Sequence, residues 1–166
     1  MFPAAIILGS RGFRSCGHRT GCGFMEYKSD FFTLKGYQLN RNPELTSSME
    51  DYLEMICRLR KENEVVRISE LAEKLNVRPS SASKMVNNLK LAGLVSFERY
   101  GYIKLTPKGE TVGEYLLYRH RVLNDFLCLV NGTEDETEQV EKIEHFLSRE
   151  TVENIKKFMD SVKKAP

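Results

Sequence analysis

A chain of 166 residues, 41% hydrophobic and 29% charged, has room for one ordinary domain or two small ones and lacks a disordered composition. No apolar run reaches the roughly 18 residues of a membrane span, and a net charge of +2 is too small to identify a partner by itself. Four cysteines spread over helical and glycine-rich stretches make no disulfide framework, so the thiols are read as reduced and the protein as cytoplasmic.

The first 24 residues differ from the rest, with five glycines, three arginines and no acid. The run "FPAAIILG" has no basic residue before it, unlike a signal core, and Cys16, His18 and Cys22 lack a fourth zinc ligand at the usual spacing. Residues 1–44 are therefore read as an N-terminal extension, partly disordered, with Met25 as a candidate start.

In "TSSMEDYLEMICRLR", Ser47 and Glu50 have the spacing of a capping box, and Tyr52, Met55, Ile56 and Leu59 share one helical face. A helix is expected from about Ser48, with Cys57 as a small buried hydrophobe. Asp51 and Glu54 stand side by side at the edge of its apolar face, where the helix dipole alone would favour acids.

In "ISELAEKLNVRPSSASKMVNNLKLAGLV", Ser69 can cap a short helix with Leu71, Ala72 and Leu75 inside. "NVR" makes a tight turn and Pro79 suits the first position of a second helix. Ala82, Met85, Val86 and Leu89 mark its buried side, and Gly93 its stop. This is a helix-turn-helix pattern. "LVSFERYGYIKLT" then alternates around Gly101 as a β-hairpin, which completes a winged helix over residues 45–106.

The outer face of the second helix carries Ser80, Ser81, Ser83, Lys84, Asn87 and Asn88 and no acid. Such a face suits base edges and phosphates in the major groove of double-stranded DNA. Arg78 and Pro79 stand at the helix start, and Arg99, Tyr100 and Lys104 on the hairpin can reach flanking phosphates. An ordinary solvated face, or a winged helix that binds protein, remains the alternative.

Thr106-Pro107 opens a long helix to about residue 130, with Val112, Tyr115, Leu116, Val122, Leu123, Phe126, Leu127 and Val130 on a wide apolar face. Helices near 134–147 and 149–163 follow, with Ser148 as the cap between them. Residues 107–163 thus form a helical unit whose surplus apolar surface is most simply covered by a second copy, giving a homodimer. The fold class is mainly α with a small β-hairpin wing: an N-terminal winged helix-turn-helix plus a C-terminal α-helical dimerisation domain.

In "VEKIEHFLS", the offsets of Glu141, Glu144 and His145 put two carboxylates and an imidazole on one helical face. Oxygen and nitrogen donors without sulfur suit Mn²⁺ or Fe²⁺. Three ligands do not saturate such an ion; Asp51 and Glu54 can add oxygens and His120 a nitrogen. Each of these residues also has an ordinary reading as a solvated or core side chain.

From about Thr46 to Phe158 the chain resembles the diphtheria toxin repressor family, most closely its manganese transport regulator branch. The stretches that carry the resemblance are "SSMEDYLEMI", "RISELAEKLNVRPSSASKMV", "GYIKLTPKGE", "YRHRVLNDFL" and "VEKIEHFLS". It implies a dimeric, metal-activated repressor that binds a palindromic operator. It also implies metal-ligand roles for Asp51, Glu54, His120, Glu141, Glu144 and His145. The iron-responsive branch has Met where Asp51 stands and Cys where Glu141 stands, so the resemblance points to Mn²⁺, with Fe²⁺ or another divalent transition metal as the variant. A metal-independent regulator sensing a small apolar ligand is the competing reading. A metallo-hydrolase is disfavoured because no base or nucleophile stands apart from the ligand set, so the chain is read as no enzyme.

Overall fold

The computed structural model describes residues 45–63, 65–97 and 101–163, so the expectations for residues 1–44, Arg99 and Tyr100 lie outside the described residues. Helix α1 spans Ser47–Glu62. Its cap is Thr46, whose hydroxyl accepts from the Met49 N–H at 3.3 Å, one residue before the expected cap at Ser47. Glu50 is thereby released from a capping role. Helix α2 is Ile68–Lys74, begun by Arg67 without a side-chain cap; Ser69 lies within its first turn, so the cap expected there does not form. Asn76 turns the chain with φ 52°, a conformation that asparagine tolerates. Helix α3, Pro79–Leu91, starts on its proline and is followed by Gly93 at φ 73°.

Strands β1 (Val95–Ser96) and β2 (Lys104–Leu105) pair antiparallel, Val95 opposite Leu105. A bridge between Val66 and Ile103 adds the segment before α2 to the wing. Helix α4, Pro107–Asn131, is capped by the Thr106 hydroxyl, which accepts from the Gly109 N–H at 3.0 Å. Helix α5 is Thr137–Ile143, then a 3-10 turn over Glu144–Phe146, then α6, Arg149–Lys163. The single helix expected near 134–147 is therefore shorter at both ends. Asn131 and Thr133 hold the Glu136 carboxylate while the Glu136 N–H donates to Asn124, which keeps the acidic run in the loop. Ser148 accepts from the Thr151 N–H at 3.1 Å at the start of α6, as its position suggests.

Two apolar clusters hold these elements. The larger joins α1, α2, α3 and the wing to the first half of α4, around Leu53, Ile56, Leu71, Val86, Leu89 and Leu116. The smaller joins the second half of α4 to α6 through Val122, Val152 and Met159. Helix α4 is thus common to both and carries residues from one to the other. Among the described residues no helix is long and apolar enough to cross a membrane.

Helix α4 approaches α1 closely at Gly113, where an added Cβ would lie 2.1 Å from Cys57 Sγ. Gly113→Ala is expected to lower stability by about 1–3 kcal/mol through overpacking. The same substitution in a Cys57→Ala background should cost little, because the obstructing sulfur is gone. Urea unfolding of the four combinations checks this, and an equal loss in both backgrounds would contradict the packing assignment.

Candidate metal centre and nucleic-acid face

Helix amphipathicity sets the site. In α1 the face bearing Leu53 and Ile56 is buried, which leaves Asp51 at the edge and draws Glu54 (5% exposed) inward against α4. In α4 the same periodicity that buries Leu116 and Leu123 also buries Arg119 and His120. Tightening of the chain after α5 into a 3-10 turn directs Glu144, 1% exposed, into the space between α1 and α4.

Two groups of donors result, each with ligand atoms within 4.8 Å of one another: Asp51, Glu144 and His145, and Glu54, His120 and Glu144. Glu144 belongs to both. His145 Nε2 is 2.8 Å from Asp51 Oδ1 and 3.8 Å from Glu144 Oε1. His120 Nδ1 is 3.3 Å from Glu144 Oε2, 3.8 Å from Glu54 Oε1 and 3.7 Å from Glu141 Oε1. Glu141 is half exposed and stands at the rim, outside both groups but beside His120. Arg58 caps the outer side of Glu54, its Nε donating to Oε1 at 3.1 Å.

Two residues of this cluster were not legible as site residues. Arg119, 3% exposed, donates from Nη1 to Glu50 Oε2 at 2.9 Å and lies 3.5 Å from Glu144 Oε1. Its Nε has no partner among the described residues. Glu50 Oε2 is also 2.8 Å from His145 Nδ1. The available signal was positional: Arg119 continues the spacing of Leu116 and Leu123, an unusual place for a guanidinium. Glu50 precedes Asp51 directly.

The charges are mutually dependent. Hydrogen bonds to Asp51 and Glu50 push His145 up to about 10, against the effects of burial and Arg119. The bond to Glu144 raises His120 against burial, with help from Glu54. Burial opposes ionisation of Glu50, but His145 and Arg119 outweigh it and hold that carboxyl below its usual range. Burial and the neighbouring Glu144 raise Glu141. Carboxylates gathered this closely need positive charge, and here Arg119 and the His145 imidazolium provide it, with His120 shifted toward its charged form. The donor set is oxygen and nitrogen only, since Cys57 faces Gly113 in the core, and it fits a divalent cation of the Mn²⁺ or Fe²⁺ kind.

On the other side of the winged helix, Arg78, Pro79, Ser80, Ser81, Lys84 and Asn87 are exposed on α3 and its lead-in, and Lys104 is exposed on β2. Ser83 is half-buried. Asn88 is half-buried too and contacts Met85 Sδ at 4.0 Å, so it turns partly inward. The first turn of α3 carries no acid. Lys90 ties the helix to the hairpin by donating to the Phe97 carbonyl at 2.8 Å.

A winged helix joined by carboxylates and imidazoles to a helical unit is the plan of a known class of regulators. Residues 44–103 match the family described as "Iron dependent repressor, N-terminal DNA binding domain", and residues 106–166 match "Iron dependent repressor, metal binding and dimerisation domain". The chain belongs to this family, the diphtheria toxin repressor family, on its manganese-regulator branch. It is 43% identical over 111 residues to the HTH-type transcriptional regulator MntR of Geobacillus thermodenitrificans, a match covering 66% of this chain and 79% of that protein. It is 42% identical over 111 residues to the protein of the same name from Bacillus pumilus, covering 66% and 77%. Among solved structures it resembles the manganese regulator SloR, with TM-score 0.61, 31% identity, and coverage of 70% of this chain and 55% of that one. It also resembles a manganese-dependent transcriptional repressor in complex with manganese, with TM-score 0.59, 30% identity, and coverage of 64% and 50%. The chain thus spans about half the length of those two solved proteins.

A raised imidazole pKa stabilises the fold below the unfolded value and is lost as pH rises through the folded one. For His145 the window runs from 6.5 to about 10. The metal-free chain should therefore lose stability progressively across that range. His145→Gln should flatten the loss, as measured by urea unfolding at fixed pH steps. Identical slopes in the two proteins would contradict the assignment.

Proposed function

We propose that the chain is a homodimeric, Mn²⁺-activated transcriptional repressor that acts in the cytoplasm on a palindromic operator in metal-homeostasis genes. The observation that carries this reading is the shared Glu144 carboxylate. It stands between a group that includes Asp51 and His145 and a group that includes Glu54 and His120. Asp51 and Glu54 belong to α1, the first helix of the winged-helix half, whereas the other donors belong to α4, α5 and the turn after it.

A bound divalent cation would supply the positive charge these carboxylates need, and each of the six residues has a role toward it. Asp51 and Glu54 hold α1, and with it the helix-turn-helix, against the helical half. His120 and His145 give nitrogen donors, Glu144 joins the two groups, and Glu141 closes the rim. Fixing α1 sets where each α3 points, and a dimer with two fixed recognition helices is matched to two half-sites. The exposed apolar side chains Leu129, Val130, Ile143, Phe146, Phe158 and Val162 on the helical half support a covering second copy. No turnover is assigned: among the described residues we identify no base or nucleophile set apart from the ligand cluster. The alternative, sensing of an apolar ligand, fits less well. The cavity beside His120, about 280 Å³, is lined largely by charged groups, among them Arg58, Lys61, Glu114 and Arg121.

His120→Ala and Glu144→Ala should each weaken Mn²⁺-dependent binding by at least about 100-fold, the upper end of what outer-shell substitutions cost. The probe is a palindromic duplex selected from random DNA by the wild-type protein, and sedimentation should show both variants still dimeric. Wild-type Mn²⁺ response in both would overturn the reading. Arg78→Ala and Lys84→Ala should weaken binding across sequences and reduce the slope of log affinity against log salt by about one each. An unchanged slope would remove those residues from the DNA face.

A further inference from the structure

We propose that Glu50 is a positioning residue of the metal centre: it sets the His145 ring so that Nε2, and not Nδ1, is the nitrogen offered to the cation. The proposal rests on the metal-centre reading above and adds a residue outside the six candidate ligands.

Glu50 Oε2 lies 2.8 Å from His145 Nδ1. An ionised carboxylate only accepts hydrogen bonds, so Nδ1 carries a hydrogen toward Glu50; Asp51 Oδ1 takes one from Nε2 in the same way while no cation is present, and a cation among Asp51 and Glu144 would replace that second hydrogen alone. A neutral imidazole with its hydrogen on Nδ1 has its lone pair on Nε2. That nitrogen is the one facing the donors, 2.8 Å from Asp51 Oδ1 and 3.8 Å from Glu144 Oε1. Consecutive residues of α1 thus straddle the ring, Glu50 at the Nδ1 edge and Asp51 at the Nε2 edge.

Arg119 makes the requirement sharper. Its Nη2 lies 3.3 Å from the same Nδ1, and a guanidinium only donates. Left alone with His145, Arg119 would favour a lone pair on Nδ1 and the hydrogen on Nε2, the tautomer that cannot bind an ion among Asp51 and Glu144. Glu50 reverses that preference. It also occupies Arg119, accepting from Nη1 at 2.9 Å on the same oxygen that holds His145. The Arg119 side chain is 4% exposed and that of Glu50 22% exposed, so water competes weakly for these bonds. A carboxylate behind a ligating imidazole is a general device for fixing its orientation and raising its basicity.

Calorimetric titration with Mn²⁺ alone, on the full chain without DNA, tests this. Glu50→Ala should bind Mn²⁺ about 10–100-fold more weakly. Glu50→Gln, whose amide oxygen still accepts from Nδ1, should recover most of that loss. In a His145→Ala background, Glu50→Ala should cause no further loss, because the ring it positions is absent. Unchanged affinity in Glu50→Ala, a Gln variant as weak as Ala, or an equal further loss in the His145→Ala background would each overturn the proposal. A readout that needs no Glu50 variant is the imidazole ¹⁵N spectrum of the wild type loaded with Cd²⁺. The expected result is a metal-shifted Nε2 and a protonated Nδ1 on His145; a metal-shifted Nδ1 would overturn the assignment. Wild type that binds no Mn²⁺ would remove the metal-centre reading together with this one, whereas normal wild-type binding with Glu50→Ala unaffected removes this one alone.

Discussion

A carboxylate at Glu144, 1% exposed, is the constraint around which the site is organised. Burying an ionised carboxylate costs several kcal/mol unless opposite charge and hydrogen bonds accompany it. The chain meets that demand with side chains from distant segments: the first turns of α1, the middle of α4, and the turn after α5. Glu50 and His145, 95 residues apart, are in hydrogen-bond contact as a consequence. Whatever neutralises Glu144 therefore also decides how firmly α1 is held to the helical half.

Without an ion, Arg119 and His145 supply positive charge beside Glu144, and the bond to Glu144 shifts His120 toward its charged form. Arg119 is permanent, but an imidazole holds its charge only as a proton, and on His145 the hydrogen at Nε2, facing Asp51, is the one in a cation's way. A cation entering this cluster would have to displace protons from it. A site of thiolates would suit a softer ion, whereas an oxygen and nitrogen set would suit a divalent cation of the Mn²⁺ or Fe²⁺ kind.

The helix-turn-helix was legible because short helices declare their buried sides. Leu71 and Ala72, then Ala82, Val86 and Leu89, are spaced to lie on one side of each helix, and all are buried in the same cluster. Thr106 and Ser148 were legible as caps for a local reason, a hydroxyl three residues before the N–H it accepts. What escaped was non-local. The Val66–Ile103 bridge joins residues whose pairing no local pattern announces. Ser47 and Glu50 had capping spacing, yet Thr46 took the cap and Glu50 turned to His145 and Arg119. The 3-10 turn that aims Glu144 inward looks, in sequence, like continued α-helix. The six candidate ligands were recognisable largely through family resemblance, since their spacing alone left ordinary readings open.

The most direct test of the central claim is anomalous diffraction at the manganese edge from crystals grown with Mn²⁺. The account predicts manganese between α1, α4 and the turn after α5, bound by the Glu144 carboxylate together with at least one donor from α1. A well-ordered crystal with no manganese there, or with manganese held by the helical half alone and α1 free of it, would contradict it.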